Sequence, residues 1–269
     1  MDESKYSVLV SKIKKRRILV IVLISFVFVI AMFFTSAGEI VIMGETFVSD
    51  GVHPVFTILL IGVYMFALLF AYAAVSMPLA TSMDQECDPE KQIVLYKKLH
   101  SQNNIDHIYS GDYFYLGDYS ESLKYAEKMI KSTNSNFVLT GLFNKARCEF
   151  FLGEYDSFCE TVKQYAGELT NCNKLYSAAE ISYKKMNNLL DLMVAISENN
   201  IERINALRNN VEVWNTSKAT EGLVNFFKGL SAYKIGENQE AIYRFMLVKE
   251  ACSKTVLLKL SDEYLSLLS

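Results

Sequence analysis

Two stretches of the chain are apolar without a charge to break them. From Ile18 to Phe34 the only polar residue is Ser25, and Thr35, Ser36, Ala37 and Gly38 prolong the run. From Val55 to Met77 tyrosine is the only ionisable type. A bilayer core is crossed by about 20 apolar residues in a helix, and in lipid the backbone must satisfy its own hydrogen bonds. The pattern therefore predicts transmembrane helices over 18–37 and 55–77, with Pro78 ending the second. Beyond it the periodicity becomes amphipathic. Asp88-Pro89-Glu90 reads as a cap, a first helical residue and a dipole-favoured acid. Ile93, Val94, Tyr96 and Leu99 supply that helix's apolar stripe. Ser101-Gln102-Asn103-Asn104 breaks it, and helical periodicity then runs almost to the end, with no strand-like alternation of useful length.

Composition sharpens this picture. At 51% hydrophobic and with a formal net charge of −3, the chain lacks the signature of disorder. Gly 12 and Pro 3 in 269 residues disfavour a turn-rich β-sandwich. Lys+Arg 27 against Asp+Glu 30 leaves no basic excess for nucleic acid. The basic residues are unevenly placed. Lys12, Lys14, Lys15, Arg16 and Arg17 crowd the tail 1–17, whereas the loop 38–54 has Glu39, Glu45 and Asp50 and no Lys or Arg. Positive charge stays inside, so the expectation is an integral protein of a bacterial-type plasma membrane. Both termini are then cytoplasmic, and the short loop is extracytoplasmic. Ala67 and Ala71, four apart, offer a small-residue face for span packing or a homo-oligomer. Cys87, Cys148, Cys159, Cys172 and Cys252 form no C-x-x-C pair and read as incidental thiols in a reducing compartment.

The region 79–269 compares with itself. Gly117, Gly153 and Gly236 each sit in a short turn: Leu116-Gly117-Asp118-Tyr119, Leu152-Gly153-Glu154-Tyr155 and Ile235-Gly236-Glu237-Asn238. Seven residues before each glycine stands a small residue, Ser110, Ala146 or Gly229; three before it, an aromatic, Phe114, Phe150 or Tyr233. Nine and twelve after it the residues are apolar, as in Ala126 and Met129, Val162 and Tyr165, Phe245 and Val248. Five after, Ser122 and Ala241 are small and Phe158 is not. This is the pattern of helical hairpins: glycine closes a helix in the left-handed conformation, small residues admit close approach, and apolar positions fill the seam. It resembles the tetratricopeptide repeat (TPR), whose unit is about 34 residues. Gly117 to Gly153 is close to one unit, and Gly153 to Gly236 has room for two. The unit between runs from Tyr176 to Ser197, turns at Glu198-Asn199-Asn200 and returns over Ile201 to Val211. Val256 to Leu268 caps the last face. The expected fold is all-α, two transmembrane helices followed by a cytosolic TPR-like α-solenoid.

No phosphate loop, zinc-protease helix or nucleophile elbow occurs, and His53, His100 and His107 lack companion ligands, so no enzyme, metal or cofactor is expected. Helical arrays bind on their concave face. The residues assigned to it are Asn104, His107, Tyr115, Phe143, Asn144, Arg147, Phe151, Phe226 and Phe227. The resemblance implies a protein or peptide partner, with Asn144 and Arg147 suited to a backbone or carboxylate. Gly111 stands where carboxylate-clamping members of that family carry Asn, so that clamp is not carried over. The function expected is a membrane-tethered scaffold or adaptor for protein partners, with no nucleic acid. The alternatives are a signal-transducing regulator or a small subunit of a channel or secretion assembly.

Overall fold

The computed structural model describes residues 3–36, 39–42, 45–48, 54–99, 105–171 and 177–269. They divide into two units, Asp2–Ala80 and Thr81–Ser269, close to the boundary expected at residue 79.

In the first unit a 3-10 turn, Glu3–Tyr6, leads into α1, Ser7–Ser36. A hairpin follows, β1 Glu39–Ile42 against antiparallel β2 Glu45–Val48, with Glu39 opposite Val48 and Ile42 opposite Glu45. Then comes α2, Pro54–Asp84. Two expectations are corrected here. The segment read as a plain loop contains strands, and the β-branched residues Ile40, Val41, Thr46 and Val48 favour extended backbone. Pro78 does not end α2, which continues to Asp84; a proline forfeits a backbone hydrogen bond in a helix interior, and here that loss does not stop the helix.

The membrane expectation is also corrected. Among the described residues no helix is long and apolar enough to cross a membrane. The plasma-membrane placement, with its cytoplasmic termini, falls with the spans. The five residues given the task of setting topology lie on α1, where Lys12, Lys14, Lys15 and Arg16 are exposed and Arg17 is half-buried. α1 and α2 meet through Tyr64, whose hydroxyl is 3.1 Å from Ser25 Oγ and whose ring centroid is 4.2 Å from that of Phe28. Phe26, Phe66 and Phe70 are exposed in this unit.

The second unit is all-helical. Its first helix is α3, Pro89–Leu99, capped as expected: the Lys91 amide donates to Asp88 Oδ1 at 3.0 Å. Four hairpins follow. They are α4 Asp106–Leu116 with α5 Tyr119–Ile130, and α6 Ser135–Leu152 with α7 Tyr155–Asn171. Next are α8 Ser177–Ser197 with α9 Ile201–Leu207, and α10 Lys218–Lys234 with α11 Asn238–Ala251. A final helix, α12, spans Val256–Leu268. The expected break at 101–104 lies outside the described residues.

Among the described residues, the three repeat glycines are the glycines with left-handed backbone, Gly117 at φ +80, Gly153 at φ +77 and Gly236 at φ +81. Each turn is closed by the same bond one residue on. Asp118 N donates to Tyr113 O, Glu154 N to Glu149 O and Glu237 N to Ala232 O, all at 2.9 Å. A β-carbon at these positions would meet the steric penalty of the left-handed region. The degenerate hairpin α8/α9 has no glycine and uses Asn199, at φ +52, the residue type that tolerates this conformation best after glycine.

Inside the hairpins the small positions act as expected. Ser110 Oγ donates to Ser122 O at 3.1 Å and Ser122 Oγ to Ser110 O at 2.6 Å, a reciprocal clasp between α4 and α5. At Gly229 a β-carbon would fall 2.9 Å from the Phe245 ring, so α10 and α11 approach over a bare backbone. Phe158, the exception to the small-residue rule, is fully buried with its ring 5.5 Å from Phe150. α8 packs on α6, α7 and α10, while α12 packs on α10 and α11 and reaches back to α4. The first hairpin also meets the last through Tyr115, whose hydroxyl donates to Ala219 O at 3.0 Å. The array therefore doubles back on itself.

Candidate functional site

That closure determines the fate of the residues assigned to the concave face. Tyr115, Phe143, Asn144, Arg147, Phe226 and Phe227 are all buried, and Phe151 is half-buried. They converge, but on the interior of the unit rather than on an open groove. His107 is exposed, its ring 5.8 Å from Phe137. Asn104 lies outside the described residues, as do His53 and His100.

Arg147 is the centre of this cluster. Its guanidinium carbon stands 4.1 Å from the Phe114 ring centroid and 4.6 Å from that of Phe143, so two aromatic faces sandwich the cation. Its Nη2 donates to Asn144 Oδ1 one turn earlier, and its Nε is buried without a partner. Burial lowers the Arg147 pKa; the Tyr115 side chain beside it acts in the opposite direction. The aromatic series continues outward. Phe151 stacks on Tyr119 with ring centroids 5.8 Å apart and lies 5.7 Å from Phe226. Phe227 is 5.3 Å from Phe150, and Phe245 stacks on Tyr264 at 5.2 Å. The structure brings seven of the nine residues assigned to the concave face into or against the interior and leaves His107 on the surface. The first helix of a hairpin faces a groove only while the array stays open, and here α8, α10 and α12 fill the inner side.

A second polar cluster centres on a residue not singled out from the sequence. Asp112 on α4 is 3% exposed; with the Gln92 side-chain amide oriented to donate, its nitrogen lies 2.8 Å from Asp112 Oδ1 and 3.1 Å from its Oδ2. Burial, and then the nearby Asp88 carboxylate, raise the Asp112 pKa well above the ordinary value. Asp88 in turn accepts from Lys254 Nζ at 2.7 Å. The only available signal was an acid at an apolar helix position, Asp112 between Tyr109 and Phe114, and that reads equally well as a surface residue.

The sign of the Asp112 effect follows from proton linkage. Between its unfolded pKa of about 3.9 and its raised folded value, the unfolded chain loses the proton that the folded chain retains. The contribution is thus fully present below the unfolded pKa and is lost as pH rises through the folded pKa. Asp112→Asn, which fixes the neutral form, should be more stable than the parent at neutral pH, and the advantage should shrink toward pH 3. Urea unfolding at a series of pH values checks this. A constant difference across the series would show that Asp112 is ionised in the fold.

Among the described residues no group of three or more His, Cys, Asp or Glu is placed to hold a metal ion. The two clusters provide aromatic packing, one buried cation and one buried acid whose pKa is raised. Compared with known protein families, curated proteins and solved structures, the chain matches none.

Proposed function

We propose that the unit Thr81–Ser269 is a TPR-like interaction module, a scaffold or adaptor that holds a protein or peptide partner. The observation that supports this reading is the repetition itself. Three hairpins are closed by left-handed glycines with the same backbone bond; the first two pack through α5 and α6, and the third joins them through α8. Stacked hairpins of this kind present extended surfaces and act mainly by binding.

The partner surface lies outside the aromatic seam, because the seam is occupied by the protein's own side chains. Large apolar residues remain exposed on the outer helices and turns, among them Tyr155 beside the Gly153 turn and Tyr243 and Met246 on α11. A photocrosslinking amino acid placed in the full chain at Tyr155 or Tyr243 should give a discrete adduct in cells, and one at buried Phe227 should not. The α11 adduct should disappear on Met246→Asp with the circular dichroism spectrum unchanged. If neither exposed position yields a discrete adduct, the interaction reading fails.

A further inference from the structure

Cys87 and Cys252 are distant in sequence, yet their sulfurs are 3.2 Å apart and both residues are fully buried. Neither is held within a helix. Cys87 lies in the turn between α2 and α3 with φ +46, and Cys252 caps the end of α11. Gly222 on α10 makes room for the second sulfur, since a β-carbon there would fall 2.1 Å from Cys252 Sγ. The same two segments are tied again by Lys254 Nζ on Asp88 Oδ2 at 2.7 Å. Three features therefore place the two thiols face to face. A disulfide bond is about 2.05 Å long, so roughly 1 Å of closure separates the pair from a covalent link. The hydrogen bond to Cys252, and then burial, raise the Cys87 pKa.

We propose that Cys87 and Cys252 form a reversible disulfide that staples the α2–α3 turn to the end of α11. The oxidant is a low-molecular-weight disulfide such as oxidised glutathione. One thiol, exposed as the turn after α2 opens, loses its proton and attacks a sulfur of the oxidant, releasing the first small thiol. The second protein thiol then attacks the mixed disulfide and releases the other small thiol. Two protein thiols and one small disulfide become one protein disulfide and two small thiols, with protons and electrons balanced. The new bond closes a loop around nearly the whole second unit, which restricts the unfolded chain far more than the folded one.

The test uses the full chain equilibrated in glutathione buffers of graded redox ratio, quenched with acid, alkylated while denatured and mapped by peptide mass. The expected result is a linked peptide pair containing Cys87 and Cys252, reversed by excess dithiothreitol. It should come with a rise in the unfolding midpoint of roughly 5–10 °C. Cys87→Ser and Cys252→Ser should each abolish both the link and the oxidant-dependent rise; two variants guard against one that fails to fold. The proposal is overturned if both cysteines stay alkylatable in the most oxidising buffer. Links that run instead to Cys148, Cys159 or Cys172, or a Cys87–Cys252 link that leaves the midpoint unmoved, also overturn it.

Discussion

Phe227→Ala should cost about 3–5 kcal/mol of unfolding free energy, measured by urea denaturation of the full chain. The ring is fully buried and sits 5.3 Å from Phe150, 5.5 Å from Phe226 and 5.8 Å from Phe151. Removing it takes away apolar surface and leaves a cavity walled by rings already packed on other rings. The comparison that gives this result meaning is Tyr243→Ala, at a side chain 54% exposed, which should change stability by no more than about 0.5 kcal/mol. A small effect at Phe227 would mean that its face is open to solvent, as the sequence-based assignment to a binding groove requires.

The second large effect is expected from adding atoms. Gly141 on α6 faces α5 so closely that a β-carbon would fall 2.9 Å from Ala126 O, 2.9 Å from Met129 Cβ and 3.0 Å from Ile130 Cγ1. The first obstacle is backbone, which no rotamer change can relieve. Substituting leucine recovers helix propensity of roughly 1 kcal/mol. It also forces the two hairpins apart, so Gly141→Leu should be destabilising by a net of about 3 kcal/mol. At Gly111, where a β-carbon meets nothing within 4 Å, alanine should be neutral or stabilising. Equal unfolding midpoints for the two variants would show that α5 and α6 are farther apart than described.

These two positions also show which features of the fold were readable in the chain. The turns were readable because a left-handed helix end is a local demand: Gly117, Gly153 and Gly236 meet it from their own backbones. The cap at Asp88 and the bounds of α12, Val256–Leu268, were readable for the same reason. Degeneracy did not hide α8 and α9, since Asn199 carries the turn alone. The environment of Asn144 and Arg147 was not readable. A polar pair one turn apart ordinarily faces water, and only the placement of Phe114 from α4 and Phe143 from α6 on either side of the guanidinium makes its burial tolerable. Cys87 and Cys252 failed to register for a related reason. Spacing rules detect cysteines close in sequence, and these meet only because the last hairpin returns to the start of the unit. The two apolar runs were the clearest signal in the chain, yet among the described residues they yield no helix long and apolar enough to cross a membrane.

The hydrogen bond from Tyr115 to Ala219 O and the return of α12 to α4 bear on how the protein comes apart. An open array of repeats has two frayed ends, and each repeat adds stability mainly through its neighbours. Here the first hairpin is supported by the last, so unwinding from the C-terminus removes the support of α4 as well as that of α10. The unit should lose its structure in a single transition with one midpoint for all probes. Its length is likewise fixed: an extra hairpin inserted between α7 and α10 would separate the surfaces that now close the circuit, a constraint that open solenoids do not face.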